Sequence, residues 1–380
     1  MMVVRKAAKA DLSLIVDAYR LAFAFDEERT RRYVEMTGLD CFRVLERSGQ
    51  SAAVWAVVPC GHWFGGRSVP AANIAHVAIQ PEFRGGGLAA EILDLSCEDA
   101  RRDGAMLASL FASTRPVYRR AGFNLAGHEM VYEAETSELY KVRQELRSRR
   151  VPLDGARNVL EPIYRAACVG QSGLLDRNDA HWNAHFNTAA SVPSVFVFGD
   201  DEGYAVLDTS KPGLIEIRDW AAINGAAARQ ILKFVGTFST AFEKTRWHGA
   251  PQDALVFAMP DKGWRLVHQE EFLIRVLDPA LALSARGYAC ADTECTLAVD
   301  GGVGGAHRIS IGSGRATCAP GAIDGDKVLS VQASNLASLY SGFRSASFLH
   351  RAGVADGDPE TVALADKVFA GPSPWVAEHF

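Results

Sequence analysis

A glycine-rich turn between an apolar run and an amphipathic segment constrains this chain more than any other feature. The apolar run covers Ile74–Ile79, Pro81 breaks it, and the hexapeptide Arg84–Ala89 follows with three consecutive glycines. Glycines let the backbone approach a ligand without interference from Cβ atoms. A helix that begins at about Leu88 directs its free N–H groups toward the same place. The pattern predicts a strand, an anion-binding turn and a helix, an arrangement suited to phosphate.

Three kinds of phosphate-binding loop compete as interpretations of this turn. A Walker A loop needs Gly-Lys-Ser or Gly-Lys-Thr, whereas Gly87 is followed by Leu88 and Ala89. A dinucleotide fingerprint needs a third glycine where this chain has Ala90, and an acidic residue about 20 positions later. The pattern Arg-x-x-Gly-x-Ala after a strand instead resembles the acyl-CoA-binding motif of the GNAT superfamily of N-acetyltransferases. A plain turn between a strand and a helix is the alternative without a ligand.

The residues after the loop strengthen this resemblance. A helical period ends at Gly104, the apolar run Met106–Phe111 has the length of a strand, and Ser113 precedes a segment that carries Tyr118 and ends in Gly122-Phe123. The GNAT superfamily has the same order of CoA strand, pyrophosphate loop, helix, strand and tyrosine-bearing helix. The resemblance implies an α/β domain whose mixed central sheet contains two splayed strands, so that one backbone edge is exposed to pantetheine.

Length and composition limit the remaining possibilities. The chain has 380 residues, a formal net charge of −5 and seven cysteines. One acetyltransferase domain ends near residue 140, so two or three domains are expected. The mildly acidic balance argues against general nucleic-acid binding, which needs excess basic charge. No apolar stretch long enough for a signal peptide or a membrane span is found, and the scattered cysteines predict reduced thiols in the cytoplasm.

No metal site is predicted from the sequence. His181 and His185 have the i, i+4 spacing that ligates zinc from one helix face, but no third ligand is evident. They are interpreted as ordinary polar positions on a helix. Cys290 and Cys295 lack histidine companions at zinc-site spacing and are interpreted in the same way.

The rest of the chain divides into further units. After a first domain over 1–140, the charged stretch 135–150 predicts a linker helix, and 141–275 contains predicted strands, Ala254–Ala258 among them, around a helix at Ala226–Phe238. This unit is interpreted as a second GNAT-like domain without the CoA loop, with an unrelated α+β domain as the alternative. Residues 276–380 resemble a sterol-carrier-protein-like α+β domain, whose apolar positions are interpreted as core rather than as a lipid tunnel.

The three-part organisation and the aromatic end of the chain resemble the Eis family, the bacterial "enhanced intracellular survival" N-acetyltransferases. The matching segments are Phe23–Asp26, Val77–Ala89, Ser113–Phe123, Leu336–Gly342 and Phe369–Phe380. The resemblance implies a cytosolic, acetyl-CoA-dependent enzyme, typically hexameric. It implies transfer to an amine of an aminoglycoside, a polyamine or a lysine side chain.

The same resemblance assigns the site residues. Tyr118 is the expected general acid, which protonates the departing CoA thiolate, and the α-carboxylate of Phe380 is the expected base. The residues expected to bind acetyl-CoA are Val77, Ala78, Ile79, Arg84, Gly85, Gly86, Gly87, Leu88, Ala89 and Ser113. Phe25, Asp26 and Glu28 are the expected acceptor contacts, because the acidic cluster Asp26-Glu27-Glu28 would attract a cation. A solvated helix start is the favoured explanation of the cluster itself.

Two departures from the family pattern leave the donor and the acceptor open. The family loop usually carries consecutive arginines, whereas this chain has only Arg84, and Thr114, Arg115 and Pro116 replace glycines before Tyr118. One alternative is an N-acyltransferase that uses a longer acyl-CoA or a peptide acceptor. Another is a non-catalytic lipid- or CoA-binding protein.

Overall fold

Two β-sheets organise the chain, and the computed structural model describes residues 2–186, 192–301, 304–321 and 328–380. The strands are Met2–Lys6 (β1), Phe42–Arg47 (β2), Gln50–Phe64 (β3), Arg67–Ile79 (β4), Leu107–Phe111 (β5), Asn124–Glu135 (β6), Ser148–Val151 (β7), Leu175–Asp176 (β8), Ser194–Phe198 (β9), Gly203–Asp208 (β10), Leu214–Ala222 (β11), Lys244–His248 (β12), Trp264–Val276 (β13), Thr293–Asp300 (β14), Gly305–Gly312 (β15), Arg315–Pro320 (β16), Val328–Gln332 (β17), Ala355–Asp356 (β18) and Trp375–Val376 (β19).

Helices cover both sheets. They are Leu12–Phe23 (α1), Glu27–Thr37 (α2), Leu88–Arg102 (α3), Arg115–Arg120 (α4), Thr136–Tyr140 (α5), Ala156–Cys168 (α6), Asp179–Phe186 (α7), Gly225–Gly236 (α8), Ala254–Ala258 (α9), Pro279–Ala285 (α10), Ala333–Tyr340 (α11), Ala346–Arg351 (α12) and Pro359–Phe369 (α13). Within the described ranges, no helix is both long enough and apolar enough to cross a bilayer.

The larger sheet runs without interruption through both predicted acetyltransferase-like units. Its order is β1-β2-β3-β4-β5-β13-β6-β12-β11-β10-β9-β7, with β8 beside β3 and β19 beside β6. Strand β13 comes late in the chain but lies between β5 and β6, with Phe272 opposite Phe111 on one side and Gly127 on the other. The expected mixed central sheet is therefore confirmed, and a single sheet joins the two units.

Strands β4 and β5 are splayed. They pair in parallel at three positions only, from Ala71 opposite Leu107 to Asn73 opposite Ser109. Strand β4 then continues to Ile79 on its pairing with β3, where the register shifts opposite Trp55 and His76 adopts a φ of 50°. This β-bulge bends β4 away from β5 and leaves part of its edge without a strand partner.

The smaller sheet forms the C-terminal unit. Its order is β16-β15-β14-β17-β18, and β14 and β17 are its parallel pair. Its core side chains Leu297 and Leu339 belong to one apolar cluster with Phe64, Leu107 and Phe272 of the larger sheet. The α+β unit expected at this end is confirmed, and its core is continuous with that of the larger sheet.

Two expectations about secondary structure were wrong. Residues 254–258 form helix α9 rather than a strand, because the Asp253 side chain accepts a hydrogen bond from Val256 N at 2.9 Å and caps the first turn. The stretch 135–150 is not one linker helix. Only α5 is helical there, and β7 instead pairs with β9, which supplies hydrogen-bond partners for its backbone.

Candidate active site

The glycine loop has the geometry of an anion cradle. Gly85 and Gly87 adopt φ values of 86° and 81°, and a Cβ atom on Gly85, Gly86 or Gly87 would meet nothing within 4 Å. Helix α3 starts directly after Gly87, with Leu88 as its first residue and no side chain capping it. The first-turn amides therefore face an open surface, and the loop fits a diphosphate.

The single arginine of the loop points back toward the strand. Arg84 Nε donates a hydrogen bond to the carbonyl oxygen of Ile79 at 3.0 Å. In this arrangement the backbone amides of the glycine loop are the principal anion donors. Val77 and Ile79 lie on the part of β4 beyond its pairing with β5, while the Ala78 side chain is buried. The strand edge that would receive pantetheine thus lies beside the loop.

Tyr118 lies on the short helix that follows β5. Helix α4 has Thr114 at its N-cap position and Pro116 in its first turn, and Phe123 N bonds back to the Tyr118 carbonyl at 3.0 Å. The Tyr118 hydroxyl lies 3.5 Å from Ser113 Oγ. Its ring packs against the core to which β4, β5 and α3 contribute.

The C-terminal tail enters the larger sheet. Strand β19 pairs in parallel with β6, with Trp375 opposite His128 and Val376 opposite Glu129. This position on β6 directly precedes the segment, Val131 to Glu135, that pairs with β12, so the tail lies between the two acetyltransferase-like units. Two glycines make room for it: a Cβ on Gly127 would come within 2.5 Å of the Pro374 carbonyl oxygen, and one on Gly173 within 2.7 Å of that of Trp375.

The last residue reaches the end of β5. The Phe380 ring lies 5.0 Å from the Phe111 ring and 6.2 Å from the imidazole of His62. Phe111 is two residues before Ser113, which contacts Tyr118. The fold therefore brings the chain terminus to the strand that leads into the tyrosine helix, although the two segments are far apart in sequence.

A buried arginine anchors the tail. Arg177 makes two hydrogen bonds to Asp219, at 2.7 and 2.8 Å, and a third from Nε to Glu378 Oε1 at 2.5 Å. Its guanidinium lies 3.8 Å from the Tyr164 ring centroid, and its side chain is fully buried. Burial alone would raise the pKa of Glu378, but the charge of Arg177, together with His185 and His181, outweighs burial and lowers the pKa far below its usual range. Glu378 is therefore a carboxylate at neutral pH.

A second carboxylate holds the residue next to the terminus. His379 Nδ1 donates a hydrogen bond to Glu129 Oε2 at 2.8 Å, and its ring stacks on Phe111 with centroids 4.1 Å apart. This hydrogen bond raises the pKa of His379. Burial would raise the pKa of Glu129, but hydrogen bonds with His248 and His379 lower it to about 2. The hydrogen bond to Glu129 and the stacking on Phe111 together hold His379, the residue next to Phe380, in place.

The expected acceptor residues line a cleft next to the tail. Phe25, Asp26 and Glu28 border a cavity of about 720 Å³, which shares His379 and Arg218 with a neighbouring cavity of about 540 Å³. Asp26 is the N-cap of α2 and accepts from Arg29 N at 2.7 Å. Glu28 pairs with Arg32 on the same helix. The acidic charge expected to attract a cation is therefore largely compensated locally.

Several residues of this site carried no sequence signal. Arg177, Asp219 and Glu129 come from separate strands or loops, and nothing in their spacing brings them together. His181 and His185 were expected to be ordinary polar positions on a helix, yet both are buried. His181 Nε2 lies 3.0 Å from Asn73 Oδ1 and His185 Nε2 lies 3.4 Å from Glu378 Oε1, so helix α7 contributes to the anchor.

Comparisons with known proteins agree with this geometry. Residues 3–126 and 173–276 each match a family model described as an acetyltransferase (GNAT) domain, and residues 279–377 match a sterol carrier protein domain. An uncharacterized N-acetyltransferase of Streptomyces griseus is 28% identical over 356 residues, with 83% of each chain covered. N-acetyltransferase Eis of Mycobacterium tuberculosis is 26% identical over 334 residues, which cover 80% of this chain and 79% of Eis.

A solved structure extends the similarity over the whole chain. The GCN5-related N-acetyltransferase from Anabaena variabilis superposes with a TM-score of 0.93 at 26% identity, with 100% of both chains covered. The order of two acetyltransferase domains and one sterol carrier protein domain, the CoA-type loop and these relatives lead to one conclusion. The chain is an acyl-CoA-dependent acyltransferase with two GNAT domains and a sterol carrier protein domain, and it is similar to the Eis N-acetyltransferases over most of its length.

Proposed function

We propose that this enzyme transfers the acetyl group of acetyl-CoA directly to a primary amine, without a covalent enzyme intermediate. The observation that carries the proposal is the docking of the C-terminal residue at the end of β5, beside the tyrosine helix. The acceptor is proposed to be an aminoglycoside, a polyamine or a lysine side chain that enters through the cleft bordered by Phe25, Asp26 and Glu28.

The donor is proposed to bind along the free edge of β4. Val77, Ala78 and Ile79 would face pantetheine, the loop from Arg84 to Ala89 would hold the diphosphate, and Ser113 would lie near the thioester. The open glycine backbone and the uncapped start of α3 support this assignment. Metal chemistry has no part in the proposed reaction.

The reaction needs two proton transfers. The amine nitrogen attacks the thioester carbonyl carbon, a C–N bond forms, and the C–S bond breaks. The Phe380 carboxylate is proposed to take a proton from the amine, and the Tyr118 hydroxyl to give one to the CoA thiolate. A carboxylate with an ordinary pKa of about 3.3–3.7 is a weak base, and a half-buried position makes it stronger.

Removal of the last residue tests the proposed base. Deletion of Phe380 leaves a carboxylate displaced by about 3.5 Å, one residue length, and should lower turnover at least about 100-fold. The matched control is Phe380→Leu, which keeps the terminal carboxylate and should keep most of the activity. Acetyl-CoA affinity, measured by calorimetry, should not change in either variant. Full activity of the deletion variant would exclude the Phe380 carboxylate as the base.

Substitution of the tyrosine tests the proposed acid. Tyr118→Phe should lower kcat about 10²–10⁴-fold, the usual contribution of a general acid, while acetyl-CoA affinity is preserved. Tyr140→Phe is the matched control, because Tyr140 is an exposed tyrosine of α5 away from the tail. Equal kcat values for the two variants would exclude Tyr118 as the acid.

Assembly and location are also proposals. The resemblance to the Eis family predicts a cytoplasmic hexamer. Light scattering coupled to size exclusion would measure the mass in solution, and a stable monomer would contradict the predicted assembly.

A further inference from the structure

A cluster of imidazoles and carboxylates surrounds Glu129, close to the C-terminus. It consists of Glu129 on β6, His248 on β12, His268 and Glu270 on β13, and His379 in the tail. His379 Nδ1 lies 2.8 Å and His268 Nε2 4.0 Å from Glu129 Oε2. His268 Nε2 also lies 3.8 Å from Glu270 Oε2, and His248 Nε2 lies 3.3 Å from Glu129 Oε1. We call this group the Glu129 cluster.

The donor atoms of the Glu129 cluster match the preferences of a first-row transition metal. Imidazole nitrogen and carboxylate oxygen suit Zn²⁺, which takes four ligands in a tetrahedron. Donor atoms of Glu129, His268 and Glu270 all lie within 4.8 Å of one another. Around zinc they would be about 3.3 Å apart, since zinc–ligand distances are about 2.0–2.1 Å.

Small side-chain rotations would close this gap. Glu129 is 4% exposed and fixed in the sheet, so it provides a rigid ligand. The side chains of His268 and Glu270 are 46% and 37% exposed and have room to move. The His268–Glu129 separation of 4.0 Å and the His268–Glu270 separation of 3.8 Å therefore need to shrink by about 0.5–0.7 Å to reach a tetrahedral zinc site.

We propose that Glu129, His268 and Glu270 bind Zn²⁺, with His379 Nδ1 as the fourth ligand. The four ligands come from three elements distant in sequence, β6, β13 and the tail, so the complete site exists only when the tail is docked. A bound ion would hold His379 in a new position beside Phe380, and so would inhibit acetyl transfer. This inhibition rests on the function proposed above, whereas ion binding does not.

The ion site is tested by Zn²⁺ titration of the full-length chain with all affinity tags removed. Calorimetry and competition with a chromogenic chelator should give one equivalent of Zn²⁺ bound with micromolar or lower Kd. His268→Gln and Glu270→Gln change exposed side chains, so both variants should fold, and each should weaken binding at least about tenfold. His350→Gln on α12 is the matched control for a surface histidine and should bind as the wild type does.

Two results would overturn the proposal. Absence of stoichiometric Zn²⁺ binding, or equal Kd values for His268→Gln and His350→Gln, would show that the Glu129 cluster is not a Zn²⁺ site. If Zn²⁺ binds at the site and acetyl transfer is unchanged, the proposed inhibition through the tail is wrong. Because the calorimetric measurement needs no substrate, an enzyme inactive toward every amine would count against the proposed function and leave the ion site standing.

Discussion

At the scale of single residues, the anchor of the tail depends on one buried cation. Arg177 balances two buried carboxylates, Asp219 and Glu378, and its guanidinium stacks on Tyr164. Removal of the cation would leave Asp219 with the Tyr204 hydroxyl at 2.6 Å and Glu378 with His185 Nε2 at 3.4 Å, but neither carboxylate with Arg177 as its counter-charge. Arg177→Met should therefore destabilise the fold by about 3–5 kcal/mol, the usual cost of breaking a buried pair. A denaturation midpoint equal to that of the wild type would contradict this assignment.

Glu378→Gln separates positioning from stability. The amide keeps the shape of the side chain but loses its charge, so the tail is held less firmly while Arg177 retains Asp219. We expect kcat to fall about 10- to 100-fold, as for a displaced catalytic group. Acetyl-CoA Kd should stay unchanged, because the loop and β4 are untouched. Glu360→Gln on α13 is the control, and a parallel rise in Kd for Glu378→Gln would refute a positioning role.

At the scale of elements, the docking of the tail strand depends on a glycine. Gly173 has a φ of 92°, and a Cβ there would lie 2.7 Å from the Trp375 carbonyl oxygen. Gly173→Ala should therefore displace the tail and lower turnover at least about tenfold, with acetyl-CoA affinity preserved. Gly170→Ala is the matched control, because its Cβ would have only the Ala167 carbonyl oxygen within reach, at 4.0 Å. Equal activity of the two variants would contradict the role of β19.

Local elements were predictable and long-range ones were not. The glycine loop, α3 and the tyrosine helix follow from residues within a short stretch, where turn and helix preferences act. The short apolar run of α9 was misjudged because periodicity over five residues does not separate strand from helix. The place of β13 between β5 and β6 and the contact of Arg177 with Glu378, 201 residues away, depend on tertiary packing. No local pattern encodes such pairs.

At the scale of the whole molecule, a buried series of hydrogen bonds links strands of the larger sheet to helix α7 and to the segment before β8. His62 Nδ1 donates to the Gly173 carbonyl at 2.6 Å, and its Nε2 lies 2.9 Å from Ser109 Oγ. Asn73 Nδ2 donates to the same hydroxyl at 2.7 Å, and His181 Nε2 lies 3.0 Å from Asn73 Oδ1. This arrangement is satisfied with His62 neutral. Burial accordingly lowers the pKa of both His62 and His181 to about 4.

These lowered pKa values predict acid sensitivity in a defined window. Between about pH 6.5 and pH 4 the unfolded chain binds protons at both histidines that the folded chain excludes. The two neutral histidines therefore make their full contribution to the free energy of unfolding above pH 6.5. This contribution is lost as the pH falls toward 4, by about 3 kcal/mol for each histidine. Carboxylates with a lowered pKa, such as Glu378, act mainly below this window.

The measurement is the melting temperature of the wild type and of His62→Asn between about pH 4.5 and pH 7.5. The asparagine amide can still donate to Gly173, so the variant should fold, be less stable at neutral pH and show a shallower loss of stability on acidification. Burial raises the pKa of Asp253 to about 6, which acts in the opposite sense, but it does so in both proteins and cancels in the comparison. His350→Gln should keep the wild-type slope, because His350 is an exposed residue at the end of helix α12. An unchanged slope in His62→Asn would show that folding does not lower the pKa of His62, and the buried chain from His181 to Gly173 would need another proton arrangement.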